Sequence, residues 1–238
     1  MVNWFRRARE RIEVPRLTSR SEQRPTARVD LAELTPSLPA YLGHAAYLQL
    51  SFFETLSRAT AIAPTLEAKQ VLAKVAGRAL DKHRKLVHEM ERRELDPVEA
   101  MEPFTAGVHE FQRVTRGNDW YETLVTCYVT AGFLDDFFVR LGAGLSGEAG
   151  TRAVAILKQD LEAKELVELV LDAVGANPRL SSRLAMWGRR LVGDTMLIAR
   201  SALVLGANHD TEEARIEPVF TELIAAHTRR MDNLGLTA

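Results

Sequence analysis

Apolar residues recur three and four positions apart along most of this chain, the spacing of one helix face. Nowhere does the alternation of a half-buried strand compete with it. A first stripe, Leu42, Ala45, Gln49, Phe52 and Leu56, predicts a helix opening near Pro39 and ending at the turn around Pro64. Thr65 is placed to cap a second helix, whose stripe runs Leu72, Ala76, Ala79, His83, Leu86 and Met90 and stops before Asp96-Pro97. Residues 97–117 hold Pro97, Pro103 and two glycines, which predicts short helical pieces and a crossover. Asp119 with Glu122 three residues on is a capping-box pattern. It opens a third long helix through Trp120, Leu124, Tyr128, Ala131 and Phe138 to Leu141. The glycine-rich stretch 142–150 is the strongest breaker, and a fourth helix is expected over 151–174 with Ile156, Ala163, Leu166 and Val170 inward. Asn177-Pro178 opens a fifth helix reaching about Leu205. Asp210 and Glu213 start a last helical region, broken or kinked at Pro218. The pattern predicts an all-α protein: a four-helix bundle with two additional C-terminal helices over residues 36–236, preceded by an irregular arm, residues 1–35, with one basic turn at 3–12.

Composition adds bounds. The 238 residues are 46% hydrophobic and 26% charged, ordinary for a globular domain. The net charge of −1 argues against a wholly basic nucleic-acid binder. It is unevenly spread, however: residues 1–28 carry eight arginines against Glu10, Glu13 and Glu22. That arm points to RNA or an anionic membrane surface as a partner, the alternative being a simple tail. A lone cysteine, Cys127, rules out an internal disulfide framework and fits a reducing cytosol. No apolar run approaches the roughly 18–20 residues of a membrane span, and the N-terminal residues lack the apolar core of a secretory signal. A cytoplasmic protein is expected, with self-association left open. There is no P-loop, no GxGxxG before a helix, no CxxC and no GxSxG.

Candidate chemistry comes from polar residues that fall on the apolar stripes: Gln49, His83, the pair Asp135-Asp136, and Glu162. Buried polar groups need partners. Inward acids and histidines on four helices are how a carboxylate-bridged di-iron centre is built inside a bundle. Each residue also has a plainer reading. His83 is either a metal ligand or a core histidine satisfied by a neighbouring carbonyl or carboxylate. The segment Leu80-Asp81-Lys82-His83 puts no ligand three residues before it, and Asp81 turns toward the polar face with Lys85 and His88. Gln49 stands where a glutamate ligand would be expected; Glu54, roughly 140° around the helix, reads as a surface group. One of Asp135 and Asp136 must face inward from their aromatic setting, as a site residue or paired with an arginine such as Arg140. Glu162 reaches the core edge, with Glu165 and Glu168 read as a solvated acidic face. Arg190 and Asp194 form an intrahelical pair by spacing, and His227 and Arg230 extend it as a structural tie between the last two helices. Convergence of Gln49, His83, Asp136 and Glu162 in the interior is expected.

Four runs carry a resemblance: Tyr41-Leu-Gly-His-Ala-Ala-Tyr-Leu-Gln-Leu50, Pro97-Val-Glu-Ala-Met-Glu-Pro-Phe104, Trp187-Gly-Arg-Arg-Leu-Val-Gly193 and His227-Thr-Arg-Arg-Met231. They resemble the actinobacterial ferritin-like proteins grouped with MiaE-type tRNA hydroxylases, over roughly residues 30 to 236. The resemblance implies a ferritin-like bundle with iron as the metal. In MiaE enzymes a di-iron centre and dioxygen hydroxylate the isopentenyl group of a modified adenosine in tRNA. Carried over, the helix-two histidine ligand falls on His83 and the helix-three acid on Asp136 or Asp135. The first-helix glutamate falls on Gln49, the helix-two glutamate on Leu80, and the fourth-helix Glu-x-x-His on Gln159 and Glu162. The ligand set is depleted. Two functions follow: a metal-dependent oxygenase, or a non-catalytic scaffold or binding protein whose former metal site is a polar hydrogen-bond cluster.

Overall fold

The computed structural model describes residues 34–159, 163–204 and 209–236, with side chains throughout except at 209–215. The basic arm and Glu162 lie outside the described residues. Every regular element among the described residues is helical. Helix α1, Leu38–Ala61, carries Pro39 in its first turn and packs most extensively on α2, Leu66–Glu91. Four residues connect the two, so they run antiparallel. Thr65 caps α2 as expected, its hydroxyl accepting from Ala68 N at 3.1 Å. The crossover is helical throughout much of its length: α3, Pro97–Met101, a 3₁₀ turn at Glu102–Phe104, and α4, Thr105–Val114. α3 crosses α1 so closely that a Cβ on Gly43 would stand 1.9 Å from the Ala100 carbonyl oxygen. Only glycine permits that approach.

Helix α5, Trp120–Leu141, is the axis of the molecule. Asp119 accepts from Glu122 N at 2.9 Å, and the Glu122 carboxylate accepts from Asn118 N at 2.8 Å, which closes the cap. Its apolar residues do not keep to one face: Phe133, Leu134, Phe137 and Phe138 are all at most 2% exposed. A helix apolar all round must be surrounded, and α5 touches α1 and the four helices that follow it. Those are α6, Gly147–Leu157, α7, Lys164–Ala176, α8, Pro178–Arg200, and α9, His209–Asn233.

Four boundaries differ from the sequence reading, the first being that α6 opens at Gly147, inside the glycine-rich stretch read as a breaker. The single helix expected over 151–174 is two, α6 and α7, and Ala163, just before α7, has left-handed backbone (φ 34°, ψ 51°). No glycine or proline marks that break, so periodicity read straight across it. After the break α7 leans on α2, where Glu165 bonds Lys74 at 2.8 Å and Arg78 at 2.7 Å. These contacts hold its carboxyl down to about pKa 2, and Glu165 is therefore a clamp and not part of a solvated face. Helix α8 ends at Arg200, short of Leu205, in a turn closed by Ser201 Oγ donating to Ile198 O at 2.7 Å. Helix α9 continues unbroken through Pro218.

Candidate functional site

The interior polar group is built around Asp135 on α5. Its Oδ1 accepts from Gln49 Nε2 of α1 at 2.7 Å, and its Oδ2 from Lys82 Nζ of α2, also at 2.7 Å. Lys82 donates further to the Leu157 carbonyl at 3.2 Å, one of the carbonyls left open at the end of α6. Gln49, Lys82 and Asp135 are 5, 6 and 6% exposed. Three bundle helices thus supply an amide, an ammonium and a carboxylate, and a fourth supplies a carbonyl. Burial is the strongest influence on Asp135 and pushes its pKa above the ordinary carboxylate value, while Lys82 and the bond from Gln49 pull the other way. A small cavity of about 60 Å³ adjoins the pair, lined mostly by apolar groups such as Phe52, Ala79 and Leu166. Nearby, the Tyr41 hydroxyl donates to Phe138 O at 2.7 Å, and burial and the Asp135 charge both raise its pKa.

The other anticipated residues do not all meet here. His83 is half-buried, and its Nδ1 lies 2.9 Å from the Ala46 carbonyl oxygen. A carbonyl only accepts, so Nδ1 carries the proton and Nε2 keeps its lone pair, an arrangement common to a core histidine and to a histidine that ligates through its second nitrogen. Asp136 faces away from Gln49 and binds Arg230 Nη2 of α9 at 2.6 Å. Its partner is Arg230, not Arg140, which pairs with Glu222 on the surface. Glu162 lies outside the described residues. Among the described residues Gln49, His83 and Asp136 therefore do not converge: Gln49 joins Asp135, His83 meets the Ala46 carbonyl, and Asp136 turns to Arg230. The alternation of Asp135 and Asp136, about 100° apart on the helix, is the physical cause.

The second cluster ties α5, α8 and α9. A Cβ at Gly132 would stand 2.2 Å from Arg230 Nε, so the glycine makes the channel through which the guanidinium reaches Asp136 one turn on. Met231 crosses Gly188 in the same way, at 2.3 Å from the place of a Cβ. His227 is buried, and burial followed by the nearby Arg230 charge lowers its pKa to about 4. Arg190, expected beside Asp194, lies over the Trp187 ring at 5.3 Å instead. Trp187 Nε1 donates to Thr126 Oγ1 at 2.9 Å, fixing α8 on α5.

Two interior residues escaped the sequence reading. Lys82 stands three after Ala79 and four before Leu86, on the same stripe as His83, but lysine is rarely taken for a buried residue. His44 is 2% exposed, stacked on Phe104 at 4.4 Å with both ring nitrogens unpartnered among the described residues. Burial lowers its pKa to about 4.

Whether these residues suit a di-iron centre is decided by their chemistry. A divalent cation beside Asp135 would have to displace the Lys82 ammonium or sit against it, and like charges in a buried site repel strongly. Gln49 offers one neutral oxygen, and Asp136 is committed to Arg230. Among the described residues no three His, Cys, Asp or Glu side chains are grouped as a metal would need. Among the described residues the set does not fit the group, and Asp135 is held by the Lys82 ammonium.

Antiparallel long helices around a central α5, with inward polar residues meeting across the bundle, define a ferritin-like protein. The chain belongs to the family described as ferritin-like domain, actinomycetes, whose model matches residues 36–212. No curated protein matches it. No helix among the described residues is long and apolar enough to cross a membrane.

Proposed function

We propose that this chain is a non-catalytic ferritin-like binding or scaffold protein, in which an internal ion pair stands where relatives of this fold hold metal. The observation that carries the reading is Lys82 Nζ at 2.7 Å from Asp135, deep in the bundle and shared with Gln49. An ammonium neutralises a buried carboxylate without a cofactor, and a metal there would gain only what it could take from an existing pair. The likeness to MiaE-type hydroxylases then extends to the scaffold and not to its oxygen chemistry, and iron is no part of the folded protein.

Metal analysis of protein expressed in iron-replete medium tests this, together with an optical spectrum and thermal melts with and without added ferrous iron. Substoichiometric iron and an unchanged melting temperature are expected, since a ligand stabilises only what it binds. Near-stoichiometric iron with an oxo-bridge absorption would restore the oxygenase.

A further inference from the structure

On the far side of Phe52 and Cys127 from the ion pair lies a much larger space. A cleft of about 610 Å³ opens between α1, α4 and the first half of α5. Its size is that of small-molecule sites, about 300–1,000 Å³. Phe52 and Cys127 line both the cleft and the inner cavity, so the cleft ends against the wall of the bundle centre.

Its floor and its rim differ in character. Phe52, Ala59, Phe111 and Cys127 form an apolar floor, and Ile62, 69% exposed, extends it to the mouth. Threonines also line it, but their hydroxyls are already used: Thr55 donates to Ser51 O, Thr123 to Asp119 O, Thr126 to Thr115 O and Thr130 to Thr126 O. Toward the cleft they act largely as methyl groups. Burial pushes the Cys127 thiol up to about 12, which keeps it neutral and apolar.

The rim is cationic. Arg58, Arg113 and Arg116 stand along it, all exposed. The nearby acids do little to cancel them. Glu110 is bound by Arg113, Glu54 is 3.9 Å from Arg58, and Asp119 is bound by Arg183 of α8. Arg116 makes no ion pair with any described residue. Arg58 spends one donor on the Thr55 hydroxyl at 3.3 Å, which leaves most of its donors and those of Arg116 for something else.

We infer that this cleft binds an organic anion with an apolar body, its tail on the Phe52–Phe111 floor and its carboxylate or phosphate head between Arg58 and Arg116. An apolar pocket with a few convergent charged donors selects such a molecule, because the donors orient the head while the floor supplies area. The inference goes beyond the metal-free reading and does not depend on it: the cleft shares no charged group with the Lys82–Asp135 pair.

Calorimetric titration of the full chain with decanoate, decyl phosphate, decanol and inorganic phosphate, all below micelle-forming concentrations, tests it. Saturable one-to-one binding is expected for decanoate or decyl phosphate, and the tighter of the two names the head group. Decanol and inorganic phosphate should bind about tenfold more weakly or worse, the factor carried by about 1.4 kcal/mol. Arg58→Ala and Arg116→Ala, both at exposed positions, should each weaken the anion about tenfold and leave decanol unchanged. The proposal is overturned if decanol binds as well as the acids, if neither arginine variant matters, or if uptake never saturates. Displacement of the anion by a short single-stranded RNA at lower concentration would also overturn it and assign the rim to nucleic acid. Iron content of the same samples reads the metal question separately.

Discussion

Replacing Lys82 by Met removes the ammonium and keeps much of the side chain's length. The Lys82 and Asp135 side chains are 7% and 8% exposed, so water cannot take over the lost contact or screen what remains. Asp135 would keep a single side-chain hydrogen bond, from Gln49. Removing one partner of a buried pair costs about 3–5 kcal/mol. A typical domain is stable by only about 5–15 kcal/mol, so the loss should be plain. It should also depend on pH. Burial already raises the Asp135 pKa and Lys82 opposes that rise, so the variant's carboxyl must lie higher still. A carboxyl whose folded pKa exceeds its unfolded value, about 3.9, favours folding most below the unfolded value and loses that advantage as pH rises through the folded one. Lys82→Met should therefore lie closest to the parent near pH 4 and fall further behind toward neutrality. Urea unfolding at about pH 5 and about pH 8 measures both effects. Adding Asp135→Leu should recover most of the loss at the higher pH, because the stranded charge is gone. A loss below about 1 kcal/mol, the worth of a surface pair, or one indifferent to pH, would refute the buried ion pair.

Two further outcomes follow from the same packing. His44→Phe should equal or exceed the parent at neutral pH, since it removes two unpartnered nitrogens, and its margin should widen as pH falls from about 6.5 toward about 4. The sign follows from a depressed histidine: its neutral form favours folding above the unfolded pKa, and that support is lost as pH falls through the folded value; pH-resolved melts showing a constant margin would refute it. Gly43→Ala should lower the melting temperature sharply, because its Cβ meets the Ala100 carbonyl, whereas Gly77→Ala meets nothing within 4 Å and should gain about 0.5–1 kcal/mol. Equal effects in a paired thermal comparison would remove the close α1–α3 crossing.

Local signals carried the fold well. Thr65, Asp119 and Asn177 each cap the helix that their side chains announce, because a cap depends on a few adjacent residues. The break before α7 was silent, since no glycine or proline stands between Leu157 and Lys164. In the site, Gln49 and Asp135 were legible as polar residues on apolar stripes. Lys82 shares that position on the stripe with His83, and helical spacing alone does not separate the two. Which of two consecutive residues enters a core is set by rotation of the helix against its partners. One stripe three and four apart admits both Ala79 to Lys82 and Ala79 to His83. Asp136 was assigned to the wrong cluster for the same reason, its arginine arriving from α9, ninety-four positions away in sequence.

The passage of Arg230 over Gly132 constrains how this protein can change. Any side chain at position 132 pushes the guanidinium aside and takes from Asp136 the partner bound at 2.6 Å. Loss of the arginine alone strands the acid, and loss of the acid alone strands an arginine whose Nη1 is already buried without a partner among the described residues. Each single step is penalised while the triple replacement is open. In the descent of such chains, positions 132, 136 and 230 should change together or stay fixed, although they sit on two helices far apart in the gene.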